Sequence, residues 1–179
     1  MGKEHAAALQ AMALCRALSA VELDSIAAIV ETQDIAAGKE LFREGDPGDG
    51  LFLVVAGEVE VVKHGPRGDW SLARMGVGGV LGEMSLITAD VRSATGRALV
   101  DTRVLRLPVQ RFRLLLDGGS TAALRIAAAI AEVLARRLAT MNTMVLELSD
   151  KADPAGNKPP TLQDTELAGL YRSMQVWSF

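Results

Sequence analysis

Residues 82–95 read GEMSLITADVRSAT and set one carboxylate, Glu83, nine positions ahead of one guanidinium, Arg92. Gly82, Glu83 and Met84 open what reads as a single helical turn, where free backbone N–H groups converge and favour an anion. Ser93 and Ala94 follow the arginine with side chains short enough for a ligand to reach the backbone. Glycines at 76, 78, 79 and 82 keep Cβ atoms out of the same space. In this arrangement Arg92 forks onto an anion while Glu83 accepts the proton of a nearby hydroxyl. The ligand described is a phosphorylated sugar. Each hydrogen bond to a charged group contributes about 1.5–3 kcal/mol, against roughly 8 kcal/mol for a whole micromolar complex. An internal salt bridge between Glu83 and Arg92, with no cavity, is the alternative.

Other chemistry is poorly supplied. His5 and His64 are the only histidines, on a terminal helix and a hairpin loop, and Cys15 is the only cysteine. They suggest solvated imidazoles and a small buried hydrophobe rather than catalytic groups, and no metal cluster is legible. The segment GVGGVLG has Leu81 where a dinucleotide loop needs its third glycine, and no βαβ unit surrounds it. An enzyme is not expected, nor a cofactor.

The elements that must position Glu83 and Arg92 follow from periodicity. Residues 3–18 are rich in Ala and Leu and predict a helix. Ser19 and Glu22 form a capping box for a second, with Leu23, Ile26, Ala27 and Val30 on one face. From 38 to 108, turn signals every eight to twelve residues predict short antiparallel strands. In one of them Glu58, Glu60 and Lys63 alternate with Val59, Val61 and, across an irregularity, Val62. Pro108 starts a short helix that stops at Gly118–Gly119, and Ser120 caps a long helix to about Leu148. On it Leu124, Ala127, Ala131, Leu134, Leu138, Met141, Val145 and Leu148 repeat at alternating three and four, while Ile126, Ile130 and Val133 widen the apolar surface. Such a helix calls for its own domain on one face and a partner helix on the other, which predicts a homodimer through 120–148; a helix packed wholly within one chain is the alternative.

The fold class expected is α+β: an antiparallel barrel or sandwich flanked by N-terminal helices and a long C-terminal helix, which the family resemblance of 82–95 implies is a β-roll, or jelly-roll barrel. Its bounds are helices over 3–31, β-roll over 33–107 and helices over 108–148, making one domain of 1–148. A linker, 149–160, and a short amphipathic tail, 161–179, complete the chain.

The stretch 82–95 resembles the phosphate-binding cassette of the cyclic nucleotide-binding domain family: Gly-Glu, a short helix, then Arg and small residues, matched without gaps. LFREGDPGDGLFLVVAGEVEV is similar to the family's β-roll entrance, and VLARRLATMN to the hinge helix of its catabolite-activator branch. The resemblance implies that Arg92, Ser93 and the Ala94 N–H hold a cyclic phosphate, and that Glu83 and the Gly82 backbone hold the ribose 2′-hydroxyl. Val61, Leu72 and Ala73 would line the apolar wall, and Arg137, Met141, Asn142 and Thr143 fall where the long helix caps the base. Ala89 and Val91 depart from the usual Gly and Pro, and Gly79 and Val80 from an Asp and an aromatic. Ser93, a hydroxyl without the methyl of Thr, favours cyclic AMP, with cyclic GMP as the alternative. The implied protein is a stand-alone dimeric sensor that signals through its long helix to an unknown downstream protein. A structural dimer that keeps the fold without ligand binding is the second reading.

Composition fits this. The 179 residues are 49% hydrophobic and 23% charged, with a net charge of -3. A duplex-binding protein would more often be basic. The 31 residues after Leu148 are short for a winged helix-turn-helix domain of about 60, so no nucleic acid partner is expected. The N-terminus has no secretory pattern and no run reaches 18 apolar residues, so a cytoplasmic location without membrane contact is expected.

Overall fold

In the computed structural model, residues 2–65, 68–88 and 91–152 are described, beginning with helix α1 (Gly2–Gln10). The helix expected over 3–18 ends there. Ala13–Cys15 form one 3-10 turn instead, which brings Met12, Leu14 and Cys15 all inward. Burial pushes the Cys15 thiol up to about 11. Helix α2 (Ala20–Ala27) carries the expected capping box: Ser19 N–H donates to Glu22 at 2.8 Å, and Glu22 N–H to Ser19 Oγ at 3.4 Å. Its face of Leu23, Ile26 and Ala27, with Val30 beyond, is buried.

Eight strands form two antiparallel sheets. They are β1 (Glu31–Ile35), β2 (Glu40–Phe42), β3 (Gly50–Ala56), β4 (Val59–Gly65), β5 (Gly68–Met75), β6 (Val80–Leu81), β7 (Thr95–Ala98) and β8 (Thr102–Pro108). One sheet is ordered β1-β8-β3-β6 and the other β2-β7-β4-β5. The roll therefore starts at Glu31, inside the segment assigned to helix from sequence, and ends at Pro108. Its core joins both sheets: Phe52 and Val54 of β3, Leu81 of β6 and Val104 of β8 meet Val59 of β4, with Phe42, Val61 and Met75 packed around them. β3 is buried from Gly50 to Val54 without alternation, since both of its faces are covered.

The irregularity foreseen in β4 is a bulge. Val61 pairs with Ala73 but Val62 with Ser71, leaving Leu72 as the extra residue on β5. Glu60, expected on the solvent side, is buried. Arg97 Nη2 at 3.0 Å and Ser71 Oγ at 2.8 Å donate to its carboxylate, and Arg97 first, then Ser71, holds it below the usual carboxylate range.

Helix α3 (Met84–Ile87) is a single turn between β6 and β7, against β3. Pro108 is the N-cap of α4 (Val109–Asp117), which Gly118 ends. Ser120 accepts Ala123 N–H at the start of α5 (Thr121–Ala152). The linker expected from 149 is thus helical to Ala152, and the rest of it and the 161–179 tail lie outside the described residues. The chain divides into two compact units, residues 1–132 and 133 onward, the boundary falling within α5. In the first, α5 buries Ala122, Ala123, Ile126 and Ile130. Leu124, Leu138 and Met141 of the other stripe stay about half exposed. No single described helix is long and apolar enough to cross a membrane.

Candidate functional site

The segment carrying Arg92 is held by backbone bonds to the turn between β2 and β3. Pro47 bridges Val91, Arg92 N–H donates to Asp46 O at 2.8 Å, and Gly45 N–H donates to Arg92 O at 2.9 Å. One residue further, Glu44 N–H donates to Thr95 Oγ1 at 3.0 Å. Lys63 reinforces the clamp, with Nζ on Glu44 at 2.5 Å and on the Ser93 carbonyl at 2.8 Å.

From this anchor the Arg92 side chain turns inward, leaving the residue only 4% exposed. Its guanidinium carbon lies 4.6 Å from the Phe42 ring and 5.2 Å from the Phe52 ring, which stack on each other. Nη2 donates to Asp49 at 2.7 Å; Nη1 donates to Ser85 Oγ at 3.1 Å and to Gly82 O at 3.3 Å. The fork that sequence assigned to the anion is therefore occupied by the protein. Nε is buried and, among the described residues, has no partner. An unpaired buried donor costs about 1–3 kcal/mol, so this N–H gains most from an incoming acceptor. Burial pulls the Arg92 pKa below its ordinary value, while Asp49 opposes that shift. A second anion would act with Asp49.

Asp49 also meets Arg106 Nη2 at 2.7 Å, and Glu31 bridges Arg106 at 2.9 Å to Arg111 of α4 at 3.1 Å. Neither Asp49 nor Ser85 stood out in the sequence. Asp49 sits in the glycine-rich run GDPGDG, whose residue types suit a turn, although a buried arginine demands a carboxylate somewhere.

Glu83 is the N-cap residue of α3 and is 4% exposed, without a side-chain cap bond. Met84 begins the helix half-buried. Ser93 is exposed and Ala94 buried beside Arg92. Gly82 adopts φ +68°, and a Cβ there would collide with Arg92 Nη1. Its missing side chain makes room for the arginine before any ligand. Val61 and Ala73 are half-buried cross-strand neighbours, and bulged Leu72 is 59% exposed. Arg137, Met141 and Asn142 lie on α5 in the second unit, and the other nine expected residues belong to the first. The histidines are engaged structurally: His5 bridges Ala27 O and Thr32 Oγ1, and His64 Nδ1 meets Asp69 at 2.6 Å. Among the described residues no three His, Cys, Asp or Glu side chains are grouped to hold a metal ion.

The family model for the cyclic nucleotide-binding domain matches residues 32–118. A solved cyclic nucleotide-binding-like protein from Brucella abortus is 31% identical with a TM-score of 0.56, covering 64% of this chain and 98% of that one. The chain belongs to the cyclic nucleotide-binding domain family. A cyclic nucleotide-binding domain from Methylobacillus flagellatus superposes with a TM-score of 0.71 at 26% identity, over 82% of this chain and 83% of that one. Among curated relatives, the cAMP-dependent protein kinase regulatory subunit of Neurospora crassa is 32% identical over 108 residues, 60% of this chain. This chain spans 28% of that relative's length. Cyclic nucleotide-binding domains are regulatory sensor folds rather than catalytic ones, and the two-sheet roll with its flanking helices is that fold.

Proposed function

We propose that this cyclic nucleotide-binding domain binds cyclic AMP in preference to cyclic GMP and acts as a regulatory sensor. The observation that carries the reading is the buried Nε–H of Arg92, without a partner among the described residues, beside small Ser93 and Ala94. Arg92, Ser93 and the Ala94 N–H take the cyclic phosphate; Glu83, with Gly82 and Met84, takes the ribose hydroxyl; Val61, Leu72 and Ala73 face the base. Exposure of bulged Leu72 agrees with a wall that a base covers. Ser93 supports cyclic AMP because it lacks the Thr methyl, and the Neurospora relative bears cAMP in its name. The half-exposed stripe of Leu124, Leu138 and Met141 supports homodimerisation through helix 120–148, with occupancy passed to a downstream protein.

Thermal unfolding tests this. Cyclic AMP at 100 times its dissociation constant is expected to stabilise the fold by about 2.7 kcal/mol, and cyclic GMP at the same concentration by less. Arg92→Ala is expected to abolish the shift while the protein stays folded. A wild type unmoved by either nucleotide at millimolar concentration would instead identify a structural dimer.

A further inference from the structure

Arginine carries five N–H groups in a rigid plane, so whichever edge it offers a ligand is set by what holds the other edges. Asp49 holds Nη2. Nη1 is held by Ser85 Oγ and, at longer range, by Gly82 O. The Ser85 hydroxyl lies 2.7 Å from Gly82 O and 3.3 Å from Gly50 O, so its proton goes to a carbonyl and its lone pair is left for the guanidinium. Ser85 is 3% exposed, and a buried hydroxyl is unfavourable unless it is hydrogen-bonded. Its neighbour on the single-turn helix, Leu86, is an apolar core residue, so an alanine at 85 would meet the packing requirement alone.

We propose that Ser85 is a positioning residue: with Asp49 it fixes the rotation of the Arg92 guanidinium, so that the Nε–H rather than the Nη fork faces the phosphoryl oxygen. This rests on the cyclic nucleotide reading above. Ser85 donates to Gly82 O while accepting from Nη1, so it locks the arginine to the same glycine whose missing Cβ admits it. Without the hydroxyl, Nη1 keeps only the 3.3 Å contact to Gly82 O, and the plane is free to tilt about the Asp49 bond. A tilted plane re-aims the one Arg92 donor that meets the ligand.

The experiment is calorimetric titration of the full chain and of Ser85→Ala with cyclic AMP and with the two diastereomers of its phosphorothioate analogue. These place sulfur at one or the other exocyclic position. Ser85→Ala is expected to keep the wild-type circular dichroism and to bind cyclic AMP roughly tenfold more weakly, about the loss of one hydrogen bond to a charged group. The ratio of affinities for the diastereomers is expected to move toward unity, because one mis-aimed donor no longer distinguishes the two oxygens. Loosened packing would weaken both diastereomers equally, so an unmoved ratio overturns the proposal, as does unchanged affinity for cyclic AMP. Should Ser85→Ala fail to fold, Ser85→Cys, a weaker acceptor in the same place, is read by the same ratio. Wild type that binds neither cyclic AMP nor cyclic GMP overturns the cyclic nucleotide reading itself. A binding wild type with an indifferent variant overturns the Ser85 role alone.

Discussion

At Gly82 two demands meet: a φ of +68° and a guanidinium nitrogen where a Cβ would stand. A side chain there is strained in backbone and displaces Arg92 from Ser85 and Asp49. Gly82→Ala is expected to lower unfolding stability by about 2–4 kcal/mol, the range of combined backbone strain and a disrupted buried network. Urea denaturation measures this, and an unchanged midpoint would mean that Arg92 can leave its aromatic shelf without loss. The cation and the two rings also explain why a charge sits in the core between the sheets. Phe42 and Phe52 give the flat guanidinium apolar cover and an attractive π face, and Asp49 supplies the countercharge.

Among the elements, the turn between β2 and β3 and the segment 91–95 act as one piece, zipped by backbone bonds and by Lys63. α5 has the opposite character, burying Ala122, Ala123, Ile126 and Ile130 while Leu124, Leu138 and Met141 stay about half exposed. If that half-exposed stripe forms the dimer, Leu138→Glu places a charge in an apolar seam and is expected to yield a monomer at micromolar concentration by light scattering. A wild-type monomer under the same conditions would discard the dimer. Local signals in the sequence carried these elements well. The Ser19–Glu22 box, the Leu23/Ile26/Ala27/Val30 face, the Gly118 stop and the bulge at Val61–Val62 each depend on residues within a few positions of one another. What stayed illegible depends on distance. Asp49 and Arg92 are brought together by the roll, and no periodicity links two residues so far apart. β1 is short and polar, with half-buried and exposed positions alternating, so ETQDI lacked the apolar residues that announce a strand. α1 ended early because Met12, Leu14 and Cys15 reach the core only after the helix breaks, a tertiary gain that overrides the helical preference of Ala and Leu.

For the molecule as a whole, ion pairs of the roll set the response to acid. Arg103 holds the Asp34 carboxyl below its usual range, Lys63 does so for Glu44, and Arg97 for Glu60. A carboxylate whose pKa is depressed on folding contributes stability that is present above its unfolded value and lost as pH falls through the folded one. The melting temperature is therefore expected to hold from neutral pH down to about 5 and to decline below roughly 4.5. Glu60→Gln is expected to shallow that decline, and a profile flat to about pH 3 would count against these pairs. The lone thiol extends the reach of such measurements. Burial pushes the Cys15 thiol up to about 11 and leaves it 2% exposed, so at neutral pH it is protonated and covered. Maleimide modification of the native chain is consequently expected to be slow. A fluorophore or spin label can be attached at an introduced surface cysteine with the natural one left in place, and slow modification of Cys15 itself becomes a clock for opening of the fold.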